Sequence, residues 1–263
     1  MIRALYTAAS GMSAQQTNLD TIANNLANSS TTGFRQTRLQ FQDMVYQNMV
    51  TPGAAQSQNT VSAGLQIGLG TKSAATEVIN TQGSLNQTSN SLDVAIEGSG
   101  FFQVQRPDGS IAYTRAGQFH LNNQGTMVTT DGDPLIPTIT IPSNATAVTI
   151  TQYGVVNATL SGQQNPSQLG QLQLANFPNS GGLESMGSNL LQATLSSGDA
   201  VLGNPGGTEG MGTLEQGYLE NSNVDVVTEF VQMVLAQRAY ESNSKVIKAA
   251  DDMYQQVNNM AHS

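Results

Sequence analysis

Few side chains in this sequence are equipped for acid–base, nucleophilic or metal chemistry. Its 263 residues include two histidines and no cysteine. His120 falls in a strand-like run and His262 in the C-terminal tail, and neither has a ligand or triad partner at a suggestive spacing. The lack of cysteine removes thiolate metal sites, disulfide frameworks and thiol nucleophiles. Asp131-Gly132-Asp133-Pro134 carries calcium-type donors, but the twelve-residue calcium-loop pattern is missing and the stretch reads as a solvated turn. Asp251 and Asp252 are neighbours on a helical stretch and point in different directions, so they form no carboxylate pair. Gly64, Gly68 and Gly70 lack both the dinucleotide-binding spacing and the helix it must open. Asn86-Gln87-Thr88, Asn144-Ala145-Thr146 and Asn157-Ala158-Thr159 fit the glycosylation pattern, as chance allows in a chain rich in Asn, Ser and Thr. The central carboxylates Asp93, Glu97, Asp131 and Asp133 are what a glycan hydrolase would have to use, two of them flanking one bond. No catalytic residue, cofactor site or metal ligand is assigned, and the chain reads as a non-enzyme.

Composition narrows the partners. Charged residues make up 10% of the chain, against about 25% in an average protein. Nine basic and eighteen acidic residues give a net charge of −9, a poor match for nucleic acid or an anionic membrane surface. Gln15, Gln16, Asn18 and Asp20 interrupt the apolar run of about 7–15 residues that a secretory signal needs. No stretch reaches the roughly 18 apolar residues of a membrane span. The expectation is a cytosolic protein, or one exported by a route that leaves its N-terminus in place.

What the residue spacing does build is two long helices, one at each end. From Leu5 the first stretch steps by three and four through Ala8, Met12, Gln15, Leu19, Ile22 and Leu26, a heptad seam, with Ala4, Ala9, Ala14 and Ala23 as small neighbours. It should stop before Gly33, where Ser29, Ser30, Thr31 and Thr32 compete with helix through their side chains. Residues 222 to about 260 contain no Gly or Pro, although the chain has 26 and 8. Val224, Val227, Val231, Val234 and Leu235, then Val246, Ala250, Met253, Val257 and Met260, make one apolar row. Phe230, Met233, Tyr240, Ile247 and Tyr254 make a second. Ser222, followed by Asp225, marks the expected helix start. A helix apolar on more than one face wants other helices around it. Leu5, Met12, Leu19, Ile22, Leu26, Val227, Phe230, Val231, Val234, Tyr240, Ile247 and Met253 are the candidate assembly residues.

Between the ends the pattern changes. Residues 39–50 read as a short helical patch with Phe41, Met44, Val45 and Met49 on its apolar side. Residues 51–64 read as a small-polar loop turning at Pro52-Gly53. From Leu65 the period becomes strand-like. Residues 101–105 and 111–115 flank Pro107-Asp108-Gly109 as a hairpin, and residues 119–121 and 126–130 flank a second turn at 122–125. Turn signals at intervals of about 8–12 residues suggest a sandwich or barrel. Residues 178–217 read as long loops and short extended segments. The expected architecture is α+β and multidomain: antiparallel terminal helices in a coiled coil, 1–34 with 222–263, bracket a mostly β middle. That middle divides into a connecting domain, 35–90 with 185–221, and an outer β domain, 91–184.

Several runs are recognisable. Residues 15–28, ending Asn24-Asn25-Leu26-Ala27-Asn28, lead into Thr32-Gly33-Phe34-Arg35. Gln237-Arg238-Ala239-Tyr240-Glu241-Ser242-Asn243 lies near the other end, and Asp93-Val94-Ala95-Ile96-Glu97-Gly98 and Tyr113-Thr114-Arg115-Ala116-Gly117 lie between. Together they resemble the signatures of the bacterial flagellar axial proteins, the rod and hook family, over essentially the whole chain. Tyr46, Pro52, Gly53, Gly64 and Leu65 fall in a loop that resembles the segment associated with a straight, rigid tube in rod subunits. The resemblance implies a helical tube around an export channel, with the helices inside, the β domain outward and the ends disordered until assembly. It further implies other rod subunits, the hook or its junction, surrounding ring proteins and the flagellar type III export apparatus as partners. It places the chain in the periplasm-spanning basal body, exported without a cleaved signal, with no nucleic-acid partner and no membrane insertion. Hook subunits are usually longer, while a second rod subunit of similar size stays open. So do two other classes, an extracellular β-domain binding module, which lacks an aromatic cluster here, and a cell-wall glycan hydrolase.

Overall fold

The computed structural model describes residues 2–50, 55–56, 59–60, 64–163, 165–207 and 210–261. It is α+β, with one helix at each end and a mostly β middle. The chain divides into two compact units, one of residues 1–27, 37–77 and 225–263 and one of residues 28–36 and 78–224.

The first unit contains both helices, α1 (Ile2–Ala27) and α2 (Val226–Ala261). Asn25 Nδ2 donates to Glu229 Oε2 at 3.5 Å, and a Cβ on Gly11 would sit 2.8 Å from the Asn243 amide nitrogen. Late α1 thus meets early α2 and early α1 meets later α2, so the two run in opposite directions. Every seam position of α1, from Leu5 to Leu26, is buried or half-buried. The covered side of α2 is Glu229, Met233, Ala236, Ala239, Asn243, Ile247, Ala250 and Tyr254, again stepping by threes and fours. Of the four alanines expected to permit close approach, only Ala14 is buried; Ala4, Ala9 and Ala23 lie off the contact stripe and are exposed. The start of α2 also differs from expectation. Asp225, not Ser222, is the cap: its carboxylate accepts the Val227 N–H at 3.1 Å and the Thr228 hydroxyl.

The expected helical patch at 39–50 is instead two strands, Thr37–Asp43 and Tyr46–Val50. Each finds a strand partner, Thr71–Val78 for the first and Leu65–Gly68 for the second. Pairing of the backbone overrides the weak helical spacing, and Leu39 is the one buried side chain of the segment. Asn25 ties the strand start to α1: its amide donates to the Thr37 carbonyl at 2.8 Å and accepts the Thr37 N–H at 2.9 Å. Gly70, at φ +120°, passes so close to Ser10 of α1 that a Cβ would collide with the hydroxyl.

The second unit is built on an antiparallel sheet whose strands run in the order 184–187, 190–192, 111–114, 101–105, 174–176 and 201–203, with Leu135–Ile136 also paired to the 101–105 strand. The expected hairpin at 101–105 and 111–115 is present, with Val104 opposite Ala112. The second is present as His120–Leu121 paired with Met127–Val128. Phe101 and Phe102 point to opposite faces, and both faces are covered. Phe102 packs edge-on against Phe119 at 5.1 Å within a core that includes Val94, Ile96, Val104, Met127 and Leu174. Phe101 joins Tyr113, Phe177 and Leu183 in a smaller core on the other side. The short extended segments expected in residues 178–217 are present as four strands, 184–187, 190–192, 201–203 and 213–216. Ser188 and Asn189, at φ 52° and 58°, form the two-residue hairpin turn between two of them.

Candidate assembly surface

Position in the helix pair divides the candidate residues into two groups. Leu5, Met12, Leu19, Ile22 and Leu26 lie on the face of α1 covered by α2, and Ile247 lies on the matching face of α2. Val227, Phe230, Val231, Val234, Tyr240 and Met253 point away from the stripe and are exposed. Val227 is 72% exposed and Leu235 62%, and the row continues to Met260 at 70%. Val227, Phe230, Val231, Val234 and Leu235 follow i, i+3, i+4, i+7, i+8, so they share one face of α2. Arg238, Glu241 and Lys245 separate them from a second apolar stretch at Val246, Met253 and Val257. A lone soluble chain rarely exposes a contiguous apolar patch of more than a few hundred Å².

The Tyr46–Val50 and Leu65–Gly68 strands add a second exposed apolar surface in the same unit. Tyr46 lies opposite Gly68, Gln47 opposite Ile67, Asn48 opposite Gln66 and Val50 opposite Leu65, with a bulge between Asn48 and Val50. Opposed residues share a face, so Val50, Leu65 and Ile67 fall on one side and Tyr46, Asn48 and Gln66 on the other. The Tyr46 ring covers Gly68, where a Cβ would lie 3.4 Å from it. Asp43 beside Tyr46 raises the phenol above its ordinary value. Gly64 is half-buried and Leu65 exposed, while Pro52 and Gly53 lie outside the described residues.

One of the carboxylates considered for hydrolysis, Asp93, is held within the fold. Asp93 is buried and accepts from the Thr88 hydroxyl at 2.8 Å and the Asn90 amide at 2.9 Å. A groove of about 590 Å³ between residues 91–92, 121–125 and 140–148 has no titratable side chain in its lining. Among the described residues no cluster of three or more His, Asp or Glu could hold a metal ion. No helix among them is long and apolar enough to cross a membrane.

Sequence reasoning missed the most charged buried site. Glu220, 1% exposed, sits between two buried arginines of the second unit. Its Oε1 lies 2.6 Å from Arg35 Nη1 and its Oε2 3.2 Å from Arg115 Nη1. Arg115 also donates to the carbonyls of Ile96 and Gly98 and lies 5.4 Å over the Phe101 ring. Burial lowers the Arg115 pKa to about 10, opposed by Glu220 and assisted by Arg35, so it stays charged at neutral pH. Arg35 and Arg115 lie within runs already singled out by resemblance, but no spacing rule connects them to Glu220.

An exposed apolar helix face is the surface that a structural protein built for assembly would present. Residues 5–35 match the pattern of the flagella basal body rod proteins, residues 95–158 that of the flagellar hook protein FlgE/F/G D1 domain, and residues 215–260 that of the flagellar basal body rod FlgEFG protein C-terminal region. The chain belongs to this flagellar rod and hook family. Over nearly its whole length it resembles the flagellar basal-body rod protein FlgG. It is 49% identical over 261 residues to that of Buchnera aphidicola from Acyrthosiphon pisum, covering 99% of this chain and 100% of the relative. It is 49% identical over 256 residues to that of Caulobacter vibrioides, covering 97% of each, and 46% identical over 263 residues to that of Borreliella burgdorferi, covering 99% of each.

Proposed function

We propose that the chain is the structural subunit of the distal rod of the bacterial flagellum. It polymerises into a rigid helical tube that transmits torque from motor to hook and encloses the export channel. Full-length similarity to rod proteins favours this over a proximal rod subunit, a hook subunit or an extracellular binding module. The observation that carries it is the exposed apolar face of α2, which a single chain leaves uncovered. A heterologous contact that does not close gives an open filament, and a second copy is what such a face fits.

In this reading α1 and α2 form a coiled coil in the inner layer. The 35–90 and 185–221 segments connect it to an outer β domain, with the paired strands 46–50 and 65–68 contributing to the stiffness of the tube. Other rod subunits, the hook or its junction and the surrounding rings are the neighbours. Export proceeds unfolded through the flagellar type III apparatus, and the terminal helices order fully on assembly. The test is sedimentation and electron microscopy of concentrated protein carrying Val231→Asp or Val234→Asp. Loss of polymer with an intact β unit supports the reading; tubes indistinguishable from wild type refute it.

A further inference from the structure

Three irregular segments of the second unit have no regular secondary-structure partners: residues 33–36, which follow α1, residues 79–84, and residues 221–224, which precede α2. Several of their backbone groups bond one another or Glu220, the last residue of the 218–220 strand. Gly33 N–H donates to the Glu220 carbonyl at 2.8 Å, Ile79 N–H to the Gln36 carbonyl at 2.8 Å, and Asn221 N–H to the Ser84 carbonyl at 2.9 Å. Asn223 bridges two of the segments through its side chain. Its Oδ1 accepts the Gln36 N–H at 2.7 Å, and its Nδ2 donates to the carbonyls of Ile79 at 2.8 Å and Thr81 at 2.9 Å. Arg35 Nη1 reaches both the Thr81 carbonyl, at 2.8 Å, and Glu220. Glu220 Oε1 also accepts the Gly83 N–H at 2.9 Å.

We infer that Asn223, Arg35 and Glu220 form a clamp that makes the ordering of the chain leaving α1 and of the chain entering α2 a single event. Arg35 and Glu220 are buried, and the bonds named run between the segments rather than within any one, so each segment holds the others in place. If residues 33–36 leave, Glu220 loses one of its two cations and the Gly33 donor, and Asn223 loses Gln36. If residues 221–224 leave, the Gln36 N–H and the Ile79 carbonyl lose their bonds to Asn223, and the Thr81 carbonyl keeps only Arg35. Arg115, anchored on the carbonyls of Ile96 and Gly98, keeps a fixed cation ready for Glu220 in either case. These three residues position backbone. The clamp operates in a single chain and does not require assembly, so its test is independent of polymerisation.

Hydrogen–deuterium exchange on dilute full-length protein reads the clamp amide by amide. In the wild type, Gly33, Gln36 and Gly83 should be protected together. Asn223→Ala should speed exchange at Gln36 by at least tenfold, with a comparable rise at Gly33 and Gly83, which Asn223 does not touch. Exchange in the central strand 101–105 should not change. A rise confined to Gln36 overturns the clamp, as does a wild type in which the three amides exchange unprotected. Should Asn223→Ala loosen the central strand as well, Asn223→Asp decides. It keeps the acceptor for Gln36 and loses the donor to Ile79 and Thr81. A joint rise at Gly33, Gln36 and Gly83 then supports the clamp, and unlinked changes overturn it.

Discussion

The two units solve the burial problem in opposite ways. The second encloses its apolar residues: Phe102, Phe119, Val104 and Leu174 are each under 2% exposed, and both faces of the central sheet are covered. The first spends one face of each helix on its partner and leaves the other face of α2 in solvent. The closed unit can be stable as a single chain, whereas the open one is finished only by something outside it. Mutations in the two units should therefore separate, one set acting on folding and the other on assembly.

Several substitutions would break or sharpen that contrast. The largest effects belong to the closed unit. Phe102→Ala should cost about 3–5 kcal/mol, because the deleted ring leaves a cavity at the centre of the core. Glu220→Gln should cost a similar 3–5 kcal/mol by leaving two buried guanidinium groups uncompensated. Chemical denaturation followed by near-ultraviolet circular dichroism measures both, and a loss of less than about 1 kcal/mol in either would contradict the closed core. In the first unit, Ala236→Leu overfills the contact between the helices and should cost about 1–3 kcal/mol. That loss should appear in helical signal at 222 nm and leave the β unit's transition in place.

Smaller still is the cap of α2. The Thr228 hydroxyl, then the Val227 N–H, holds the Asp225 carboxyl below its usual value of 3.8. A carboxyl whose folded pKa is depressed stabilises at pH above its unfolded value and loses that contribution as pH falls through the folded value. The protection of the Val227 amide relative to its intrinsic exchange rate should therefore fall on acidification below about pH 4, and Asp225→Ala should abolish that change in protection. Val231→Asp should have the smallest effect on the single chain, within about 0.5 kcal/mol, since its side chain is already in water. A large shift in its melting transition would mean that the α2 face is not open.

Much of this was legible from residue spacing. Both helices and the two hairpins were, because a heptad step or a turn such as Pro107-Asp108-Gly109 is a local signal. Gly109 at φ +83° and the Asp108 carboxylate accepting the Ser110 N–H supply that turn's chemistry. Which face of α2 meets α1 was not legible, since two apolar rows were available. The covered stripe takes Met233, Ile247 and Tyr254 from the second row and Ala250 from the first, together with Glu229, Ala236, Ala239 and Asn243, which belong to neither. Gly11 of α1 meets Asn243 there and Asn25 meets Glu229, while most of the first row stays exposed, so hydrophobicity alone would have pointed to the wrong face. Residues 39–50 misled because their strand partners, at 65–68 and 71–78, lie beyond any local window. The Arg35–Glu220–Arg115 cluster was invisible for the same reason, its members being separated by most of the chain.

Sedimentation velocity across a concentration series, comparing wild type with Val231→Asp, tests the open helix face most directly. The wild type should pass from monomer to large polymers as concentration rises, with Val231→Asp monomeric throughout and its β unit folded. A wild type that stays monomeric at every concentration, or a variant that polymerises equally well, would contradict assembly through the α2 face.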